Sequence, residues 1–175
     1  GIAFPSNVNY QWGFMSGVNY ANKHYGTKAE VVELPAYAGT DVTGANVGGN
    51  YIGAFADQAT GKIVGEALLA EGVDIMLVAA GDSGNGVFAA VKEAAEGNFV
   101  IGCDVDQYDD GDTGTRNIVL TSALKNMAPI VQAQLQKIND GTFKGENALL
   151  GAKEGGTGYV SAAGRHQLSE DALAK

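Results

Sequence analysis

The chain has 175 residues, with 20 acidic against 11 basic side chains and a formal charge of −9. That length fits one domain, and that charge excludes a surface built to meet the phosphates of nucleic acid or an anionic lipid headgroup layer. Apolar residues make up 45% and charged ones 18%, the balance of a packed core rather than a disordered chain, and the lone Cys103 excludes an internal disulfide or a cysteine-based zinc cage.

The first residues, Gly1 to Pro5, have neither the charged nor the apolar region of a signal peptide. No apolar run approaches the ~18 residues that a bilayer crossing needs. Ile2-Ala3-Phe4 reads as a strand entered at once, so the chain is expected to begin inside a longer protein. Pro5-Ser6-Asn7 reads as a turn. Residues 10–25 carry Tyr10, Phe14, Val18 and Ala21 at spacings of four and three, one face of a helix that Gly26 ends. Glu30 to Leu34, with Val31 and Val32, predicts a second strand. Residues 36–56 hold five glycines without a period and predict a long loop.

Asp57 is a good N-cap for a helix carrying Ile63, Val64, Ala67, Leu68 and Leu69, which Gly72 stops. Ile75 to Ala80 is a continuous apolar run, as in a strand buried on both faces. Gly81 to Gly86 turns into a third helix with Val87, Val91 and Ala94 inward. Phe99 to Cys103 predicts another buried strand, Asp104 to Thr115 an acidic loop, and Asn117 to Thr121 a fifth strand. A fourth helix follows from Leu124 to Ile138, with Met127, Val131, Leu135 and Ile138 on one side. Pro129 is tolerated only in its first turn, which favours Asn126 as the N-cap. Asn147 to Gly151 reads as a sixth strand, and the rest as a glycine-rich loop and a short helix capped by Ser169. This alternation predicts an α/β fold, an open parallel sheet with helices on both faces.

Ligands of such sheets bind beyond the carboxyl ends of the strands. That rule selects four segments: Pro5 to Trp12, Gly81 to Gly86, Asp104 to Gln107, and Ser122 to Lys125. Together they offer aromatic rings, backbone N–H groups at a helix start, carboxylates and an ammonium. The set suits a sugar-bearing aromatic molecule. An ordinary surface with turn residues at its turns fits the same pattern. Tyr10 and Trp12 lie two apart, so a helix cannot turn both to one face, and at least one is expected to face ligand or solvent.

Several sharper motifs fail. Gly81-Asp82-Ser83-Gly84 has the look of a serine-protease motif, but the two histidines lie at a helix end (His24) and in the tail (His166), not as a base beside it. The glycines also miss the dinucleotide and P-loop spacings, so backbone N–H groups facing a neutral polar ligand are the simpler expectation. Asp106, Asp109, Asp110 and Asp112 lack the calcium-loop spacing, because Tyr108 and Asn117 stand where ligands are needed. They read as a solvated acidic loop, with no metal. Cys103 reads as an inert thiol inside a strand.

Five blocks in order resemble the basic membrane protein family, the substrate-binding lipoproteins of ABC importers that include purine nucleoside receptors. They are residues 55–62 (FADQATGK), 79–87 (AAGDSGNGV), 100–107 (VIGCDVDQ), 119–125 (VLTSALK) and 153–158 (KEGGTG). The resemblance implies a type I periplasmic-binding fold of two lobes that close on a ligand. Residues 1–160 would be the C-terminal lobe, entered at its first strand. The N-terminal lobe, signal peptide and lipidated cysteine would precede it, 127–140 would be the hinge-crossing helix, and 161–175 a tail with a short helix. By the same resemblance Asp104 and Lys125 meet ribose hydroxyls, Gly81, Asp82, Ser83 and Gly84 form the glycine loop, and Tyr10, with Trp12 near it, supplies a ring. The chain departs from the family pattern at Pro5-Ser6 and at Asp82, where glycines are usual, and residues 39–53 look inserted.

The implied function is capture of a purine nucleoside, or a similar small polar solute, for an ABC permease. The setting is extracytoplasmic and lipid-anchored, without cofactor or catalysis. The rival reading is an α/β enzyme using Asp104 and Lys125 as an acid/base pair. The apolar face of helix 127–140 is expected either to fold back on its own lobe or to pair with a second copy, as a homodimer or by segment exchange.

Overall fold

The computed structural model describes residues 1–175. The chain divides into two compact units, residues 1–100 with 111–118, and residues 101–110 with 119–175. Its principal sheet has four strands: β3 (Ile75–Leu77), β4 (Phe99–Asp104), β5 (Val119–Lys125) and β6 (Thr157–Tyr159), in that order. The expected α/β class holds. The sheet is not parallel throughout, because β6 runs antiparallel to β5, with Lys125 opposite Thr157.

In the first unit, helix α1 (Pro5–Tyr25) begins earlier than the sequence pattern suggests. Pro5-Ser6-Asn7 is its first turn rather than a separate one. Pro5 sits at N1, where its missing N–H leaves nothing unsatisfied and its fixed φ suits a helix. The expected face of Tyr10, Phe14, Val18 and Ala21 is half-buried as a set. Two predicted strands, at 2–4 and 30–34, do not form. The second is extended but has no strand beside it. Instead Asn50 serves it: Leu34 N–H donates to Asn50 Oδ1 (2.8 Å) and Asn50 Nδ2 donates to Val32 O (3.2 Å). Within the expected loop, β1 (Gly39–Thr40) and β2 (Asn46–Gly48) make a small antiparallel ribbon.

Helix α2 (Gln58–Ala70) starts as expected, with Asp57 accepting from the N–H of Thr60 at 3.0 Å. Gly72, with φ 83°, follows its end. Helix α3 (Ser83–Glu93) follows β3 and leads to β4, the strand–helix–strand crossover that parallel strands require. Helices α2 and α3 pack closely through Gly61, Gly65 and Gly86, and Val64, Leu68, Phe88 and Val91 are buried. Arg116 closes the far end of α3 by donating to the carbonyls of Val91 (3.1 Å) and Ala94 (2.7 Å).

In the second unit β5 runs on to Lys125, four residues past its predicted end, so 122–125 is strand and not loop. Helix α4 (Met127–Asn139) follows after one residue. Asn126 occupies the N-cap position, but its amide donates to Gly155 O instead of capping. Met127, Val131, Leu135 and Ile138 share one side of α4 and are all exposed. The predicted strand at 147–151 is absent, and β6 forms ten residues later. Its position is fixed by pairing with β5, which local composition does not report. Beyond it the chain is stitched to β5: Thr121 Oγ1 donates to Val160 O (2.7 Å), and Gln167 donates to Leu120 O and Val119 O (both 2.8 Å). The short helix α5 (Glu170–Leu173) is capped by Ser169 as expected. No helix is long and apolar enough to cross a membrane.

Candidate functional site

Asp104 and Lys125 are the last residues of β4 and β5. Lys125 Nζ lies 3.1 Å from Asp104 Oδ1. Since the two carboxyl ends meet, β4 and β5 run in the same direction. The side chains are 44% and 45% exposed, so both reach solvent from the carboxyl end of the sheet. The pair places an anionic acceptor beside a cationic donor. Two adjacent hydroxyls can engage both at once, one donating to the carboxylate and one accepting from the ammonium. Their mutual attraction holds the two groups ready in that spacing.

The backbone at Asp104 is unusual. Its φ is 67°, the only positive value at a non-glycine residue. The Val105 N–H donates to Cys103 O at 2.8 Å, closing a three-residue turn around Asp104. With positive φ this is the rare and strained form of the γ-turn. Strain of about 1–3 kcal/mol persists only where the surroundings fix it, and it clusters at binding sites. Here the surroundings are explicit. Gln107 Oε1 accepts from Cys103 N–H (2.9 Å), and Gln107 N–H donates to the Oγ of fully buried Ser122 (3.1 Å). Gly102 lies so close that an added Cβ would stand 3.0 Å from Gln107 Cβ.

The acidic loop that follows is less solvated than its sequence implies. Arg165 Nε donates to Asp106 Oδ2 (2.8 Å), while its two terminal nitrogens donate to Asp109 Oδ1 (2.6 Å) and Oδ2 (3.1 Å). Its guanidinium carbon lies 5.3 Å from the centre of the Tyr108 ring. The hydrogen bond from Arg165 holds the Asp106 carboxyl below the usual carboxylate range, and those carboxylates push the arginine upward. Sequence reading missed Arg165, which lies 59 residues from Asp106 with no local pattern linking them.

The remaining candidates belong to the first unit. Ser83 is 1% exposed. Its hydroxyl accepts from Asp57 N–H (2.8 Å) and donates to Ala54 O (3.2 Å), tying the start of α2 to the start of α3. The expectation that the glycine loop turns its N–H groups to a ligand fails at three positions. The N–H groups of Ser83, Gly84 and Asn85 donate to the carbonyls of Phe55, Gly81 and Asp82. Gly81 has φ 57°, and its fold-back sets up this turn. Asp82 is exposed, and its Oδ1 accepts from Gln58 and Asn85, both at 2.8 Å. On α1, Trp12 is 60% exposed and Tyr10 half-buried, so the ring expected to face ligand or solvent is Trp12.

An α/β fold with a charged pair at two adjoining strand ends has the form of a ligand-binding protein, and similarity to known proteins narrows this. Residues 38–173 match the Bmp family, ABC transporter substrate-binding protein PnrA-like. The chain belongs to that family. It is 31% identical over 155 residues to basic membrane protein A1 of Borrelia garinii subsp. bavariensis, covering 86% of this chain and 38% of that protein. It is 35% identical over 106 residues to the ABC transporter nucleoside-binding protein BmpA of Lactococcus lactis subsp. cremoris, covering 54% and 30%. The crystal structure of an ABC transporter solute-binding protein from Aeropyrum pernix K1 superposes with a TM-score of 0.69 at 31% identity, covering 92% of this chain and 39% of that one. The chain therefore spans well under half the length of these relatives.

Proposed function

We propose that residues 1–160 act as the C-terminal lobe of an ABC importer's substrate-binding protein whose ligand is a purine nucleoside. The observation that carries this is the Asp104–Lys125 pair, 3.1 Å apart at two adjoining strand ends and open to solvent. It presents the acceptor and donor that the neighbouring hydroxyls of a ribose require. The Lactococcus lactis relative is named a nucleoside-binding protein, which supports the same ligand class. Tyr10, Trp12, Gly81, Asp82, Ser83 and Gly84 enter the proposal on the family resemblance. Trp12 has an accessible ring, Asp82 an accessible carboxylate, and Ser83 a purely internal role. In this reading the protein works outside the cytoplasm, held by a lipid anchor, and delivers its ligand to an ABC permease. The apolar side of α4 packs on the preceding lobe, and a second copy covers it when that lobe is removed.

The test is calorimetry on the full-length protein with adenosine, guanosine, inosine, uridine, free adenine and ribose. Purine nucleosides should bind intact, more tightly than uridine, adenine or ribose. Asp104→Ala and Lys125→Met should both weaken binding. A ligand-binding profile blind to the ribose would overturn the assignment of the pair. Release of free base on incubation would replace it with the acid/base reading.

A further inference from the structure

Asp104 is held in a strained turn, and the loop after that turn is gripped by one residue from far along the chain. Arg165 lies in a segment anchored to β5 on both sides, through Val160 N–H to Ser122 O (3.0 Å) and Gln167 N–H to Leu120 O (2.8 Å). From there it takes Asp106 with one nitrogen and Asp109 with two. Asp106 also accepts from Tyr108 N–H (2.9 Å), and Asp110 N–H donates to Gln107 O (3.1 Å). The loop so held positions Gln107, and Gln107 fixes Cys103, the residue before Asp104. A solvent-facing ion pair alone would contribute little. A planar fork bridging two carboxylates and lying near an aromatic ring is a different object, because it fixes geometry that a lysine cannot reproduce.

We infer that Arg165 is a positioning residue for ligand binding: by clamping Asp106 and Asp109 it holds Asp104 in its left-handed turn, with the carboxylate aimed at Lys125. The inference rests on the reading of Asp104 and Lys125 as the ligand-binding pair. Arg165 touches no ligand in it. Its effect passes through the loop 105–110.

The experiment compares Arg165→Ala, Arg165→Lys and Asp109→Asn with the parent in the full-length protein. Three quantities are read: guanosine affinity by calorimetry, amide hydrogen exchange at Cys103, Gln107 and Tyr108, and the crystal structure of Arg165→Ala. Arg165→Ala should weaken guanosine binding by roughly tenfold, as small misplacements of a binding group do. It should speed exchange at those three amides by a similar factor while the amides of β5 keep their protection. Arg165→Lys and Asp109→Asn should fall between the parent and Arg165→Ala in both readouts. A purely structural arginine would lower the melting temperature and leave affinity unchanged, which overturns the inference. So would a crystal structure of Arg165→Ala with Asp104 still at positive φ and still bonded to Lys125, and this holds whether or not guanosine binds. If the parent binds no nucleoside, the ligand assignment falls. Faster exchange at 103–108 with Asp104 released from its turn would then still support the clamp.

Discussion

Replacing Gly61 or Gly86 by alanine probes the contact between α2 and α3 on which the turn at 81–84 rests. In an exposed helix that exchange is favourable by about 0.8–1 kcal/mol. Here a methyl group on Gly61 would run into the carbonyl oxygen of Ser83. One on Gly86 would run into the carbonyl oxygen of Gln58 and stand 2.6 Å from the Lys62 nitrogen. These are backbone atoms with no side chain to swing aside, so the helices must part. Parting them loosens the packing around Val64, Leu68, Phe88 and Val91, and overpacking of this kind costs about 1–3 kcal/mol. It also pulls Ser83 from Asp57 and Ala54, hydrogen bonds worth about 1 kcal/mol each. After the helical gain is set against these losses, each variant should be destabilised by about 2–4 kcal/mol, or roughly 4–16 °C in Tm for a chain of this size. Gly13 and Gly17 of α1 supply the contrast, because nothing stands within 4 Å of a methyl group at either. Alanine there should stabilise by about 0.5–1 kcal/mol. Urea denaturation of the four variants, followed by circular dichroism, reads both signs. Unchanged midpoints for Gly61→Ala and Gly86→Ala would refute the close-contact reasoning.

Asp104→Ala should lose about 1.5–3 kcal/mol of nucleoside affinity, the range for a hydrogen bond to a charged group, and calorimetry would show it as a tenfold or greater rise in Kd. Because Arg165 depresses the Asp106 carboxyl, the folded chain binds that proton more weakly than the unfolded chain. The stability from this contact is fully present above the unfolded value near ~3.9 and is lost as pH falls through the lower folded value. Denaturation of parent and Asp106→Asn should therefore differ at pH 7 and converge in acid; a gap that persists at pH 2 would contradict the ion-pair origin. Leu135→Ala should cost the full-length protein about 1.5–3 kcal/mol if another lobe covers α4, and an unchanged Tm would remove that packing.

Helices were the most legible part of the chain. Asp57 and Ser169 announced their caps, and spacings of three and four marked the faces of α1, α2 and α4, because these are local properties of a segment. Strands depend on what lies beside them. Ile2 to Phe4 and Glu30 to Leu34 have suitable residues and no partner, whereas Thr157-Gly158-Tyr159 has glycine-rich surroundings and a partner in β5. The same division runs through the site. Asp104 and Lys125 were found because strand ends are where ligands sit and because the surrounding blocks are family-like. The positive φ of Asp104 has no sequence signature beyond residue type: aspartate is among the few non-glycine residues that visit this region, but most aspartates do not. Arg165 and its two carboxylates meet only through the fold.

Asn50 also bears on whether another chain can add a strand to the segment at 30–34. An extended, valine-bearing segment with open backbone groups is a template on which another chain can add a strand, the first step of edge-to-edge aggregation. Leu34 N–H and Val32 C=O point to one side of the segment, as alternate residues do, and Asn50 occupies both. Glu33 adds a second guard by accepting from Gly49 N–H at 2.8 Å, which keeps a carboxylate on the segment. A single carboxamide thus stands in for one residue of a neighbouring strand and cannot be extended by another. Without it, Leu34 N–H and Val32 C=O would be left open for another chain to pair with.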